Sequence, residues 1–168
     1  MPESIDKDAC ELLDADHLAV KHLFVEYGRL AYAPNASENG ERAAIAMTIC
    51  NELSVHAQIE EEIFYPALRQ AVPNVADVLD EALEEHQQAK ALIAQIRDLG
   101  TADRTMDQLV ADLARAIEDH VKEERDELFP KARSAPRMDL AALGLQLKER
   151  QQALMREVGQ AEEASHPP

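Results

Sequence analysis

The sequence predicts an all-α protein, an antiparallel up-down-up-down four-helix bundle with an additional C-terminal amphipathic helix. Alanine, leucine, glutamate and glutamine dominate the 168 residues, and aromatic residues make up only 4% of them, a composition that favours helices over sheets. Proline and glycine divide the chain into segments of helical length with short connections, which is typical of such a bundle. Apolar residues recur at helical spacing, which predicts an inward face on each segment.

The first two predicted helices are separated by a segment that contains a proline. Helix one runs from about Ile5 to Ala33 and stops before Pro34. Ser37 is a favourable N-cap residue for helix two, which runs to about Ala71.

Helices three and four are bounded by capping residues. Helix three is predicted over 75–99, and Gly100 lies at its C-terminal end, where glycine is the preferred residue. Asp103 or Thr101 can cap helix four, which reaches about residue 131 or 132.

Two prolines fall inside the last turns of helices two and four, Pro66 and Pro130. A proline removes one backbone hydrogen bond, so we expect each helix to kink or end at this point.

The C-terminal segment predicts a fifth helix on the outside of the bundle. After Pro136, four leucines recur at helical spacing, namely Leu140, Leu143, Leu147 and Leu154. A frayed tail would follow from Glu162 onward. We therefore divide the chain into the bundle, residues 1–135, and the C-terminal helix with its tail, residues 136–168.

A duplicated motif gives the functional signal. His56 is followed four residues later by Glu60, and His120 is followed four residues later by Glu124. Residues four apart share one helix face, with Cβ atoms roughly 5–6 Å apart. Each copy therefore presents an imidazole and a carboxylate together.

A second repeat lies upstream of each pair, Asp16-His17 before the first and Glu85-His86 before the second. All four histidines lie on apolar stripes, which directs each imidazole into the core. Two carboxylates in an apolar interior are costly unless a cation neutralises them. The predicted metal ligands, with no separate catalytic residue, are His17, His56, Glu60, His86, His120 and Glu124.

The alternative is that these histidines have a purely structural role in the core and bind no metal. One histidine on an apolar stripe, or one such pair, is more often structural than a ligand. Two copies in register, with two further histidines at matching positions, favour a metal. His22 lies about 140° around the helix from His17 and cannot share its face, and His166 lies in the tail.

The types of ligand limit which metal ion the site can bind. Imidazole and carboxylate suit iron, zinc, manganese or copper, whereas structural zinc prefers cysteine and calcium or magnesium prefers oxygen. Two carboxylates that each bridge two metals would leave two histidines for each metal. Iron fits best, so we predict two non-haem, carboxylate-bridged iron ions, with zinc or manganese as competitors.

The set of motifs resembles the hemerythrin-like (HHE cation-binding) domain family over roughly residues 9–132. The resemblance implies a four-helix bundle around a di-iron centre, in which the four histidines are terminal ligands and Glu60 and Glu124 are bridges. Lys90 stands where the oxygen-carrying hemerythrins have a second histidine on the third helix. Their fourth helix also spaces histidine and carboxylate by five, where this chain has four. The missing imidazole argues against simple reversible oxygen carriage.

Other residues near the motifs have less specific interpretations. Tyr65 could supply an oxygen ligand or a redox-active phenol, although core packing with the hydroxyl at the rim is the commoner role. Glu61, Glu62 and Glu123 are interpreted as solvated surface residues, which could also steer ferrous ions toward the bundle.

Composition excludes several classes of function. A net charge of −16 repels phosphate backbones, so no nucleic-acid partner is expected. No apolar run approaches the roughly 18 residues that span a membrane. The first residues lack the pattern of a secretory signal, and we expect a cytoplasmic protein. Cys10 and Cys50 would lie about 10 Å and 9 Å on opposite sides of the histidine level, too far apart for a disulfide.

The combined prediction is a cytoplasmic di-iron protein that binds or reacts with oxygen, nitric oxide or peroxide, in sensing or detoxification. One alternative is an iron-buffering or storage protein. Another is an iron-gated protein-interaction module that uses the C-terminal helix. The motifs leave open whether the protein is an enzyme and whether it is a monomer or a homodimer.

Overall fold

The computed structural model describes residues 7–32 and 39–164, and these residues contain helices and no strand. Two π-helical turns, Glu60–Phe64 and Glu124–Leu128, each join two α-helices into one continuous rod. In chain order the α-helices are α1 (Ala9–Ala31), α2 (Asn39–Ile59), α3 (Tyr65–Ala71), α4 (Ala76–Leu99), α5 (Arg104–Glu123), α6 (Phe129–Ser134) and α7 (Leu140–Ala164).

Four helices close the bundle. Helix α1 packs on α2, α2 on α4, α4 on α5, and α5 on α1, while α7 lies outside the ring against α1 and α2. The predicted fold class, a four-helix bundle with an additional C-terminal helix, is confirmed. No helix among the described residues is long and apolar enough to cross a membrane.

Helix α1 begins later than the predicted Ile5, because a capping box lies at Asp8. The Asp8 carboxylate accepts from the backbone N–H of Glu11 at 2.9 Å, and the Asp8 N–H donates to the Glu11 carboxylate at 3.1 Å. This pair satisfies two N–H groups at the start of the helix and sets its first residue. Ile5 itself, the predicted end at Ala33 and the predicted cap Ser37 lie outside the described residues.

The ends of α4 and α5 agree with the sequence. Gly100 ends α4 in the left-handed conformation, with φ 66°, which glycine adopts without a steric penalty. Asp103 is the N-cap of α5, and its side chain accepts from the Met106 N–H at 2.9 Å. Of the two predicted caps, Asp103 is therefore the correct one.

The sequence predicted that the helices kink or end at Pro66 and Pro130, and neither helix ends there. Each proline lies just after a π turn, and the helices continue to Ala71 and Ser134. A π turn bonds residue i to i+5, as the Tyr65 N–H does with the Glu60 carbonyl. After the π turn the backbone hydrogen bonds return from i+5 to i+4 spacing, and this change leaves one carbonyl without an N–H donor in any case. Proline, which has no N–H, is therefore tolerated at this point.

The core consists of two halves on either side of the bundle centre. One half contains Cys10 and the other contains Cys50. Both cysteines are buried and free, so the prediction that they do not pair is confirmed. Burial raises the pKa of the Cys10 thiol to about 12 and that of Cys50 to about 11, which makes both thiols poor nucleophiles.

Helix α7 buries the predicted leucine stripe. Leu147 and Leu154 are buried, and Leu140 and Leu143 pack against the same half of the core. The helix continues to Ala164, so the start of the predicted tail is helical, and residues 165–168 lie outside the described residues. The division at residue 135 stays a prediction.

Gly144 allows α7 to contact the start of α1. A Cβ at this position would lie 2.4 Å from the Lys7 carbonyl oxygen and 2.9 Å from the Asp8 carbonyl carbon. Because these are backbone atoms, Gly144→Ala should lower the free energy of unfolding by about 1–3 kcal/mol. Urea denaturation measures this, with Gly159→Ala on the same helix as the control, since a Cβ there meets nothing within 4 Å. Equal stability of the two variants would contradict the close approach.

Candidate metal centre

The structure brings all six predicted site residues together at the centre of the bundle. The four histidines are each at most 7% exposed, and the two glutamates are fully buried. Helices α1, α2, α4 and α5 each contribute one histidine, and each π turn begins with one glutamate. The geometry brings these side chains together; their role as metal ligands stays a prediction.

The six side chains form two overlapping groups, which we call the first and second half-sites. The first half-site consists of His17, His56, Glu60 and Glu124, and the second of Glu60, His86 and His120, with ligand atoms within 4.8 Å of one another in each. Glu60 belongs to both half-sites.

Glu124 also lies between the two halves. Its Oε1 is 3.1 Å from the Nε2 of His17 and 3.3 Å from the Nε2 of His120. Both carboxylates are thus shared, and each half-site contains two histidines, as the bridged arrangement requires.

In the first half-site, each imidazole contacts an outer carboxylate through Nδ1. The Nδ1 of His17 is 3.3 Å from Asp14, and that of His56 is 3.0 Å from Asp16. Asp16 precedes His17 in the sequence, yet it serves the histidine of the neighbouring helix.

The second half-site repeats this arrangement. The Nδ1 of His86 is 2.8 Å from Glu61, and that of His120 is 2.8 Å from Glu85. Glu85 again precedes one histidine and serves another. The interpretation of Glu61 as a solvated surface residue is wrong, whereas Glu62 is exposed and its carboxylate pairs with Arg150 at 2.8 Å.

The inner atoms of the site lack hydrogen-bond partners among the described residues. These atoms are the Nε2 of His17 and His56, both carboxylate oxygens of Glu60, and Oε1 of Glu124. With Nδ1–H donating outward, each Nε2 directs a lone pair toward the centre. Two imidazole lone pairs and two buried carboxylates that face one another fit a cation of the iron, zinc or manganese type.

Charge within the site shifts the pKa values of its residues. Burial lowers the pKa of His56, but the carboxylates of Glu60 and Asp16 outweigh it and raise that pKa well above its usual range. Burial raises the pKa of Glu60, but the charge of His56 and the close side chains of Glu124 and His120 hold that pKa well below its usual range. Without a metal, a proton on His56 would thus offset the charge of Glu60.

Tyr65 lies at the centre of the site and not at its rim. It is 2% exposed, and its hydroxyl donates to Glu124 Oε2 at 3.1 Å and lies 3.4 Å from the Nε2 atoms of His86 and His120. Burial and the charges of Glu124 and Glu60 raise the pKa of this phenol well above its usual range. It is therefore a protonated donor.

The π turn explains why the sequence analysis misplaced this tyrosine. In a regular α-helix, a residue five positions after Glu60 lies about 140° away around the helix. The i+5 bonding of the π turn places Tyr65 directly above Glu60. At the equivalent position of the second repeat, Phe129 stacks on His17 with ring centroids 6.0 Å apart. At this position the two half-sites therefore differ by one hydroxyl group.

Lys90 does not complete the site. Its Nζ lies 3.1 Å from Glu61 Oε1, and its side chain is 42% exposed. The place of the missing second histidine is thus taken by a lysine that stabilises an outer carboxylate.

Helix α7 reaches the metal centre through Gln151, which the sequence analysis did not single out. Its Nε2 donates to Asp16 Oδ2 at 2.8 Å, the same oxygen that His56 Nδ1 contacts. Nothing in the repeat marks this glutamine, because the contact depends on how α7 docks. Gln151 therefore helps to orient Asp16 and, through it, His56.

Gln151→Leu should weaken metal binding at the first half-site. We expect a loss of about three- to tenfold in affinity, smaller than the 10–100-fold typical of direct partners of a ligand. Competition between the protein and a chromophoric chelator for cobalt measures this. Gln152→Leu is the matched control, since the neighbouring glutamine is exposed. Equal affinities of both variants and the wild type would contradict the role of Gln151.

The fold and the buried cluster define a class of helical-bundle proteins that hold a metal between histidines and carboxylates. The hemerythrin HHE cation binding domain family matches residues 8–132. The chain belongs to this family, and the resemblance inferred from its motifs is confirmed. Family and buried cluster together indicate a metal-binding protein.

Two similar proteins extend the comparison. The crystal structure of a hemerythrin HHE cation binding domain-containing protein from Mycobacterium kansasii is 25% identical, with a TM-score of 0.71, and the match covers 88% of this chain and 87% of that one. A DNA nickase from Nostoc sp. (strain PCC 7120) is 31% identical over 86 residues. That match covers 51% of this chain and 24% of the nickase, so the chain spans about a quarter of this relative's length.

Proposed function

We propose that this chain is a non-haem di-iron protein that binds or reacts with oxygen, nitric oxide or peroxide, in sensing or detoxification. The observation that supports it best is the pair of half-sites with two buried carboxylates between them: Glu60 belongs to both, and Glu124 contacts a histidine of each. An iron pair, when bound, would supply electrons to a small ligand. Zinc or manganese remains the competing occupant, since the same ligands accept them.

The protein's own residues would hold the ions and orient the site. His17 and His56 would bind one ion, His86 and His120 the other, and Glu60 would hold both. The outer carboxylates fix the Nδ1–H tautomer of each imidazole and increase its basicity. Fixed imidazoles hold a defined geometry around the ions.

Tyr65 would place a hydroxyl proton beside His86 and His120, where the corresponding residue beside His17 is Phe129. Its hydroxyl is the donor to Glu124, and its raised pKa keeps that proton on the oxygen. The phenol could also serve as an oxygen ligand or a redox-active group. Phe64 and Phe129, both buried, exclude water from the side of the centre that they cover.

Small ligands have a route to the first half-site. A cavity of about 730 Å³ between α1 and α5 extends from the surface to His17. We propose that oxygen, nitric oxide or peroxide enters along this route, on the half that carries Phe129. We further propose that the protein works in the cytoplasm without a nucleic-acid or membrane partner.

An iron-buffering role is the second candidate. Glu81, Glu85 and Glu123 form an acidic group beside the second half-site, which would favour the passage of cations. Burial and the neighbouring Glu85 raise the pKa of Glu123 to about 7, which weakens this attraction near neutral pH. We do not propose DNA nicking, because the net charge of −16 repels a phosphate backbone.

Metal analysis and an optical spectrum of the aerobically purified protein test the proposal first. About two irons per chain, with near-ultraviolet absorption that changes when nitric oxide or peroxide is added to the reduced protein, is the expected result. Stoichiometric zinc that survives iron supplementation would overturn the redox function. Rapidly exchanging iron without a response to either ligand would favour the buffering role.

A further inference from the structure

Helix α1 carries an exposed apolar stripe. The described residues expose four large hydrophobic side chains, and three of them lie on α1 or directly after it: Leu18 at 54%, Val25 at 63% and the C-cap residue Tyr32 at 88%. They recur every seven residues, which keeps them on one side of a helix. Packing within the chain does not account for this spacing.

The stripe continues into the groove between α1 and α5. Phe24 and Val25 line the groove from α1, and Ile117 and Val121 line it from α5. The apolar surface is therefore two helices wide and contiguous, which is how interaction sites differ from singly scattered exposed residues.

The rim of the groove is balanced in charge, unlike the rest of the chain. Three cationic and three anionic side chains line it, namely Lys21, Lys122, Arg125, Glu118, Asp119 and Asp126. The chain as a whole has a net charge of −16, so two copies repel each other over most of their surfaces. A twofold interface must be complementary to itself, and this face has equal numbers of both charges.

We propose that this face of α1 and α5 binds a second copy of the chain about a twofold axis near Val25. Because Leu18 and Tyr32 are equally distant from Val25 along the chain, an antiparallel contact places Leu18 opposite the partner's Tyr32. The groove residues of α5 then contact the outer side of the partner's α1. The occupant is this chain itself, since the stripe is symmetric about its own centre.

The size of the face agrees with this proposal. Helix α1 has 23 residues and is about 35 Å long at 1.5 Å per residue. A face two helices wide, at 8–10 Å for each helix, then covers roughly 550–700 Å² per copy. Standard interfaces bury about 800 Å² per partner. We therefore expect a dimer of moderate affinity. In the dimer the partner would cover the groove, so a small ligand would reach His17 along it only in the monomer.

Sedimentation of the full chain as purified tests the proposal over a concentration range of about 1–200 µM, which covers the weak end of the affinities that interfaces of this size show. We expect a rise from the monomer mass of 18.7 kDa to twice that value. Added salt should favour the dimer, because it screens the repulsion between the acidic surfaces.

Two matched variants locate the interface. Val25→Glu should remain monomeric, whereas Leu145→Glu, at an equally exposed leucine on α7, should dimerise like the wild type; circular dichroism checks that both are folded. A wild-type protein that stays monomeric over the whole range would overturn the proposal, as would a Val25→Glu dimer. Loss of dimerisation in Leu145→Glu alone would assign the interface to α7. A monomer whose groove binds an apolar dye would assign the groove to a small molecule.

Discussion

Glu60→Gln should remove both metal ions from the protein at once. The substitution keeps the volume of the side chain but replaces a charged carboxylate that belongs to both half-sites. The loss of metal affinity should exceed the roughly 10–100-fold loss that is typical when a hydrogen-bond partner of a ligand is mutated. Metal analysis after purification should therefore find close to no metal, against about two ions in the wild type.

Three further variants separate this result from a general loss of structure. Glu124→Gln should behave like Glu60→Gln, since Glu124 contacts histidines of both halves. His17→Ala should release the first ion and retain the second, because His17 belongs to one half-site only. His22→Ala, on the exposed side of α1, should retain both. If Glu60→Gln instead lost a single ion, a shared carboxylate would be excluded.

The buried cluster of four histidines and two glutamates was predictable because it depends on helical periodicity alone. A spacing of four residues fixes His56 and Glu60 on one face whatever surrounds them, and the repetition at His120 and Glu124 excludes chance. The bundle followed from the same pattern, since an inward face on each of four helices leaves few other architectures.

The outer contacts were not predictable, because they depend on how separate helices pack. Asp16 is beside His17 in the sequence and yet contacts His56, which requires the register between α1 and α2. To predict the contact between Gln151 and Asp16, one would also need to know how α7 docks on the bundle. The position of Tyr65 depends on a π turn, which shifts every later residue to another face of the helix. Such a turn has no simple sequence signature, so this position could not be predicted.

The two half-sites also differ in residues that lie outside the repeated histidines and glutamates. The repeats are equivalent at the histidines and glutamates, but Phe129 replaces Tyr65 and Arg125 replaces Glu61. Arg125 donates to Asp14 at 2.7 Å, whereas Glu61 contacts a histidine directly. The repeats thus keep the candidate inner ligands equivalent, while the outer residues make the two half-sites chemically different.

Removal of the metal should make the protein less stable as pH rises above neutrality. In the metal-free protein, the pKa values of His56 and His120 are raised well above their usual range, because the attraction of the carboxylates exceeds the cost of burial. A raised pKa contributes stability that is complete below the unfolded value of about 6.5 and is lost as pH rises through the folded value. The lowered pKa of Glu60 acts in the opposite direction, and its contribution is lost as pH falls through the folded value.

The metal-free protein should therefore be most stable in mildly acidic solution, with a Tm that falls above pH 6.5. Each linked proton changes stability by up to about 1.4 kcal/mol per pH unit, or about 3–5 °C in Tm for a chain of this size. Metal ions compete with the same protons, so the Tm gained on metal binding should grow from pH 6 to pH 8.5. Scanning calorimetry of both forms measures this, and His22→Ala should leave both profiles unchanged. A metal-free Tm that rose over this interval would show that the imidazoles do not carry the compensating protons.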